Sequence, residues 1–291
     1  MATKRPLIVV IGPTASGKTG LAIKIAKQYN GEIISADSRA IYRGMDIGTA
    51  KPSREEQTEV KHWGIDLVDP SERFTVANFQ AYADDRINDI RSRGKLPILA
   101  GGSGLYIDSV VYNYDFTVDY DGKLRKDLSR MSVNELQEYC EKNNIILPHN
   151  LKNKRYLIRA IERNGSSGDD RKQIRDDAVI VGISVEKNDL VDRIIRRVEQ
   201  MFCEELYNET RRLVEKFDFN IEAMKSNIYP IAWKLMSGEI SRDDAVKLCV
   251  TSDWRLAKKQ MTWFRRNPHI EWLPLGQTEA YLAKKLFSLN K

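Results

Sequence analysis

LIVVI at residues 7–11, running straight into GPTASGKT at 12–19, decides the fold. An unbroken apolar run ending in a glycine-rich loop, with a helix opening at Lys18, is the strand, loop and helix setting that a phosphate-binding P-loop requires. The pattern GxxxxGKS/T is matched in full, so Gly12, Pro13, Thr14, Ala15, Ser16, Gly17, Lys18 and Thr19 are the candidate anion-binding residues. Gly12 and Gly17 permit the tight backbone and exposed amides cradle phosphate oxygens. Lys18 supplies charge, Thr19 can ligate Mg2+, and the helix start adds its positive dipole end. Read blandly, the same residues are a glycine-rich strand-to-helix turn.

Working outward, apolar runs alternate with amphipathic stretches up to about residue 112. Strands are expected at 7–11, 32–35 and 96–100, and helices at 18–28, about 75–93 and 104–111. That rhythm predicts an α/β fold, a P-loop kinase-like parallel sheet flanked by helices. Residues 113–177 change character, with an Asn-rich stretch at 143–153 and a polar GSSGDDRKQ segment at 165–173, and are expected to form a small inserted helical subdomain ending in a flexible link. AVIVGISV at 178–185 restores strand composition. Residues 1–112 and 178–291 are therefore expected to form one core, with a long helix over about 189–215 and a helical C-terminal part to about Arg266.

The bulk composition limits the function classes. The chain has 291 residues, a formal net charge of +6 and three cysteines, Cys140, Cys203 and Cys249, too scattered for a zinc site or a disulfide framework. No apolar stretch approaches the roughly 18 residues of a membrane span. A cytoplasmic protein with no membrane association is expected. His62, His149 and His269 have no metal-ligand spacing.

The P-loop alone leaves ATP binding by a small-molecule or nucleoside kinase open, and the strand that would supply a magnesium-organising Asp discriminates. LPILA runs instead into Gly101, Gly102, Ser103 and Gly104. IDLVD at 65–69 is a weaker candidate for such a carboxylate, or an ordinary strand end. The segment SADSRAIYRGMDIGTAKP, 35–52, is dense in small and charged residues, and Asp37 at its head faces the same rim as the P-loop. Asp37 is either a proton acceptor or a helix N-cap. Ser103 either hydrogen-bonds a base or diphosphate entering a channel, or caps the helix that follows.

Taken in order, GPTASGKT, SADSRAIYRGMDIGTAKP, LAGGSGLYI, RIIRRVEQM and LAKKQMTWFRRNP resemble the tRNA dimethylallyltransferase family, in its bacterial form without a zinc finger. The resemblance runs from about Pro6 to Trp272 and weakens between 113 and 177. It implies that the P-loop holds the pyrophosphate of dimethylallyl diphosphate and that the allylic group moves to the exocyclic amine of the adenosine next to the anticodon of tRNA. It implies Asp37 as proton acceptor, Lys18, Thr19 and Mg2+ around the diphosphate, and Arg197 as a further cation. Without the resemblance, Arg197 reads as a solvated helix charge opposite Leu190, Ile194, Val198 and Met201.

Ser38, Arg39 and Ala40 are expected beside the RNA with Asp37. Two basic stripes are further candidates: Lys152, Arg155, Arg159 and Arg163 opposite Leu157 and Ile161, and Arg255, Lys258, Lys259, Thr262, Arg265 and Arg266 on one face of the last long helix. Either stripe alone also reads as a solvated face. Single-stranded loops are the usual target of sequence-specific RNA binding, so the anticodon stem-loop is the expected partner, met by a monomer. The chain departs from the family pattern at Ala40, where Gln is usual, at Ile228 and Pro230, and at Trp254, where Arg is usual. These changes predict retained catalysis with altered RNA docking.

Overall fold

The computed structural model describes residues 5–114, 116, 122–148, 150–163, 173–225 and 228–289. Most of the polar segment expected as a link, and His149, lie outside the described residues. The chain divides into two compact units, one of residues 1–111 with 175–291 and one of residues 112–174.

The first unit alternates strand and helix from its start: β1 (Leu7–Ile11), α1 (Lys18–Tyr29), β2 (Gly31–Ala36), α2 (Arg54–Glu59), β3 (His62–Trp63), α3 (Val76–Ser92), β4 (Leu96–Gly101) and α4 (Gly104–Val111). β1 is apolar at every position and wholly buried, as a central parallel strand with both faces covered must be. α3 begins at a capping box in which Thr75 and Asn78 exchange side-chain and backbone bonds. Its buried positions Phe79, Ala83, Ile87 and Ile90 recur at helical spacing.

The second unit contains α5 (Gly122–Leu128), α6 (Val133–Lys142) and α7 (Lys154–Glu162). Leu136, Cys140, Leu157, Ile158 and Ile161 pack into a core of their own.

The first unit resumes with β5 (Ala178–Ser184), α8 (Lys187–Met201), α9 (Glu204–Lys216), α10 (Ile228–Met236), α11 (Arg242–Phe264), β6 (Glu271–Pro274) and α12 (Leu275–Leu289). The sheet has six strands in the order β3-β2-β4-β1-β5-β6. Every pairing is parallel. β1 pairs with both β4 and β5, so the chain before and after the second unit shares one sheet.

Two expectations fail here. The long helix over 189–215 is two helices, broken at Phe202 and Cys203, where Phe202 leaves helical geometry at φ −79° and ψ 68°. IDLVD is no strand end: it is irregular, with Asp66 at φ 54° and one isolated bridge from Val68 to Tyr42. The C-terminal part is helical to Phe264 as expected, and beyond the expected stretch β6 adds a last strand beside β5.

Candidate active site

In a parallel sheet the loops that leave the carboxyl ends of the strands share one rim. The loops after β1, β2 and β4 all leave from that rim, and the register places Ile11 opposite Gly101 and Ala36 opposite Gly101 in turn. The P-loop, the segment beginning at Asp37 and the GGSG loop are thereby neighbours.

Gly17 caps α1 with φ 91°, a left-handed conformation in which a side chain would be strained. The turn is closed by the Ser16 amide donating to the Pro13 carbonyl at 3.2 Å, and the Lys18 ammonium donates to the same carbonyl at 2.7 Å. Burial pulls the Lys18 ammonium down to about 8; Asp37 opposes that shift and Arg197 adds to it. Thr14 and Ser16 are buried, and the Ser16 hydroxyl has no partner. Thr19 is exposed on the first turn of α1.

Arg197 is no solvated charge. Leu190, Ile194, Val198 and Met201 are the buried face of α8, as their spacing implies, and Arg197 extends from that helix to donate to the Thr14 hydroxyl. Its Nε is buried and unpartnered. Asp253 on α11 is its electrostatic neighbour: burial pushes the Asp253 carboxyl up and Arg197 pulls it down. Lys18, Arg197 and Asp37 thus form one electrostatic cluster around the loop.

Asp37 does not cap a helix, because the next one begins only at Arg54. Its carboxylate accepts from the Arg39 amide at 2.8 Å, an Asx-type turn that fixes the side chain at the end of β2. Ser103 does not cap α4 with its side chain either. Its hydroxyl accepts from the Ser38 amide at 2.9 Å and donates to the Ser38 hydroxyl at 3.2 Å, tying the GGSG loop to the Asp37 turn. Tyr106, stacked on Phe79 with ring centroids 4.0 Å apart, stands beside this turn. Burial chiefly, then Tyr42 and Asp37, push its hydroxyl up, so it stays protonated.

Gly101 ends β4, and the two glycines beyond it make room for α11. A Cβ on Gly102 would meet the Gln260 amide at 2.2 Å, and one on Gly104 would meet the Trp263 ring at 2.3 Å. The Trp263 indole donates to the buried Asp108 carboxylate at 2.9 Å. Gln260 accepts from the Thr14 amide at 2.8 Å and donates to the Gly102 carbonyl at 3.1 Å. Neither Gln260 nor Asp253 stood out in the sequence, since a polar residue on a basic helix carries no periodic signal.

The same holds for Glu209 on α9, only 2% exposed. Its carboxylate accepts from the amides of Asp46, Ile47 and Gly48 at 2.8, 3.0 and 2.9 Å and from the Tyr229 hydroxyl at 2.8 Å. It latches the far end of the segment that begins at Asp37. The near end is held by Arg39, which donates to the Glu222 carbonyl at 2.7 Å. Ala40 is buried in the turn. Ile228 is core, and Pro230 sits in the first turn of α10, where its missing amide is harmless. Asp66 and Asp69 are engaged elsewhere, Asp66 with Lys51 at 2.6 Å and Asp69 with Arg43 at 3.5 Å.

On α11 and in the two residues after it, Arg255, Lys258, Lys259, Thr262, Arg265 and Arg266 are exposed, while Ala257 and Phe264 are buried. Trp254 is half-buried with the Lys258 ammonium 5.6 Å from its ring centroid. In the second unit Lys152 and Arg155 are exposed and Arg159 and Arg163 half-buried. There the Glu162 carboxyl is pushed up by burial and drawn down by Arg125, Arg159 and Arg163. Among the described residues no group of His, Cys, Asp and Glu is assembled for a metal, and no helix is long and apolar enough to cross a membrane.

A family model described as IPP transferase matches residues 40–267. The tRNA dimethylallyltransferase of Acetivibrio thermocellus is 43% identical over 92% of this chain and 91% of its own. That of Bacillus subtilis is 35% identical over 94% and 92%. The crystal structure of the tRNA isopentenylpyrophosphate transferase from Bacillus halodurans superposes with a TM-score of 0.75 at 33% identity, covering 98% of each chain. Alike in domain signature, in sequence over nearly its full length and in fold, the chain belongs to the IPP transferase family.

Proposed function

We propose that the protein transfers a dimethylallyl group from dimethylallyl diphosphate to the exocyclic N6 amine of the adenosine 3′ to the anticodon of tRNA, releasing diphosphate. Relatives named tRNA dimethylallyltransferase over nearly the whole chain support the reaction. The hydrogen bond from Arg197 to Thr14 is the observation that carries it at the level of residues. It brings a second cation beside Lys18 at the P-loop, where an anionic leaving group needs stabilising and a Walker-type carboxylate is missing from the end of β4.

In this reading the allylic carbon–oxygen bond breaks and its electron pair leaves on the diphosphate. The adenine nitrogen forms the new bond to carbon, and its proton passes to Asp37. Lys18, the loop amides, the unpartnered Ser16 hydroxyl and Arg197 offset the charge that develops on the leaving oxygens. An exocyclic amine is a weak nucleophile, so holding it in line with the allylic carbon supplies much of the acceleration. The Asx turn at Asp37 and the Ser103–Ser38 bonds fix the acceptor carboxylate without a mobile loop.

Mg2+ fits the donor set only alongside a diphosphate. The exposed Thr19 hydroxyl is a suitable single protein ligand, and a magnesium ion bound through few protein groups takes its other oxygens from phosphate and water. Once bound there, it would neutralise charge on the leaving group. The exposed cations of α11 supply phosphate contacts for the RNA.

Incubating the purified protein with dimethylallyl diphosphate and unmodified tRNA, followed by nucleoside mass analysis, is expected to reveal prenylated adenosine. Asp37→Ala should reduce the rate by about 10²-fold while leaving tRNA affinity nearly intact. An equal loss of tRNA binding would reassign Asp37 to recognition. Phosphoryl transfer from ATP to a metabolite, without prenyl transfer, would refute the whole reading.

A further inference from the structure

α11 has two dissimilar sides. Outward it presents Arg255, Lys258, Lys259, Thr262 and Arg265. Inward it sends Gln260 and, one turn on, Trp263 into the notches left by Gly102 and Gly104. Gln260 touches two catalytic loops with one group. Its carbonyl oxygen takes the Thr14 amide at 2.8 Å and its amino group gives to the Gly102 carbonyl at 3.1 Å. Thr14 is also the residue whose hydroxyl receives Arg197.

A carboxamide is the side chain suited to this double task. It must accept from a backbone N–H and donate to a backbone C=O from adjacent atoms of one planar group. A carboxylate would oppose an acceptor to the Gly102 oxygen, and a thioether of similar length would leave both backbone groups without that partner. A side chain at Gly102 would push the Gln260 amide out of this place. Gln260 thus adds, from a helix, a side-chain bridge between two loops that the β1–β4 register already brings side by side.

We propose that Gln260 is a positioning residue that fixes the separation of the diphosphate-holding and acceptor-holding loops, so that the RNA-facing helix itself aligns the two substrates. The inference rests on the transfer reaction assigned above. The P-loop holds the bond that breaks. The GGSG loop, through Ser103 and Ser38, holds the turn that carries Asp37. A shift of either loop changes the approach of nitrogen to carbon, to which rate is steeply sensitive, while leaving the exposed RNA-binding cations where they are.

Single-turnover transfer and tRNA binding measured for the wild type, Gln260→Met and Gln260→Glu test this. Gln260→Met is expected to lower the transfer rate about tenfold or more, with tRNA affinity within about twofold of wild type. Gln260→Glu carries its own signature. When its carboxyl is protonated it can again accept from Thr14 and donate to Gly102, so its rate relative to wild type should climb as pH falls from about 8 to about 5.5, toward the carboxylate range.

Unchanged rates in both variants overturn the inference, as does a Gln260→Glu to wild-type ratio that stays flat with pH. Should Gln260→Met fail to fold, the pH profile of Gln260→Glu decides alone. A wild-type chain that transfers nothing removes the reaction and this inference together, whereas an active wild type with indifferent variants removes only the inference.

Discussion

Replacing Glu209 by glutamine probes the latch that holds the Asp37 segment from behind. One carboxylate oxygen takes the Asp46 and Ile47 amides, and the other takes the Gly48 amide and the Tyr229 hydroxyl. The carboxamide can keep only one acceptor oxygen. Its best orientation leaves that oxygen on Asp46 and Ile47 and turns its NH2 toward Gly48 and Tyr229. The Tyr229 hydroxyl can rotate to accept, but the Gly48 N–H cannot. One donor in a buried setting goes unmet, at about 1–3 kcal/mol, and two charge-assisted bonds become neutral ones, at about 1 kcal/mol each.

The sum is about 3–5 kcal/mol, set by the unmet donor and the lost charge. At about 2–4 °C per kcal/mol for a chain of this size, the melting transition that includes the sheet should fall by roughly 6–20 °C. Tyr229→Phe removes a single bond to the carboxylate and should cost about 1.5–3 kcal/mol. Hydrogen exchange gives the local readout: the amides of residues 46–48 are expected to be protected in the wild type and to lose protection selectively in Glu209→Gln. A melting point within a degree or so of wild type, with those amides equally protected in both, would refute the reasoning. In that event the segment would be held by its other contacts, such as Lys51 with Asp46 and Asp66.

Two further outcomes follow from the charges. Because the Lys18 ammonium is pulled from 10.5 to about 8 in the folded chain, the unfolded chain holds the extra proton between those values, and this group's contribution to stability rises with pH across that window. A bound diphosphate restores the proton, so calorimetry near pH 9 in buffers of different ionisation enthalpy should show proton uptake on binding, absent in Lys18→Met; buffer-independent heats would sink the claim. Lys259→Glu should weaken tRNA binding and reduce the slope of log affinity against log salt by about 1. An unaltered slope would return that face of α11 to the solvent.

Much of this was readable in the residues, for reasons that can be named. β1, the P-loop and α1 combine a fully buried strand, glycine punctuation and an amphipathic helix, three independent signals in 23 residues. The inward face of α8 was equally plain from its spacing, though which way Arg197 turned was not. The break at Phe202 and Cys203 was hidden because neither is Gly or Pro and the apolar spacing continues across it into Leu206 and Leu213. β6 was missed because EWLP is short and partly exposed. IDLVD has the composition of a strand, yet Gly64 ahead of it and the left-handed Asp66 bend it away from the sheet. Glu209 and Gln260 are invisible to any local rule, since their backbone partners lie 161 to 163 and 158 or 246 positions away.

The clasp at the edge of the first unit has its own consequence. The Arg175 amide donates to the Val111 carbonyl at 2.9 Å, the Arg175 side chain binds Asp84 at 2.6 Å, and Arg91 holds Asp177 at 2.8 Å. The backbone that departs after Val111 and the backbone that comes back at Arg175 are stitched together at one point. Everything strung between them is, topologically, a cassette. Among the described residues, none from 112 to 174 adds a rung to the sheet, whose pairings all lie within residues 7–101 and 178–274, so the sheet is complete without that stretch.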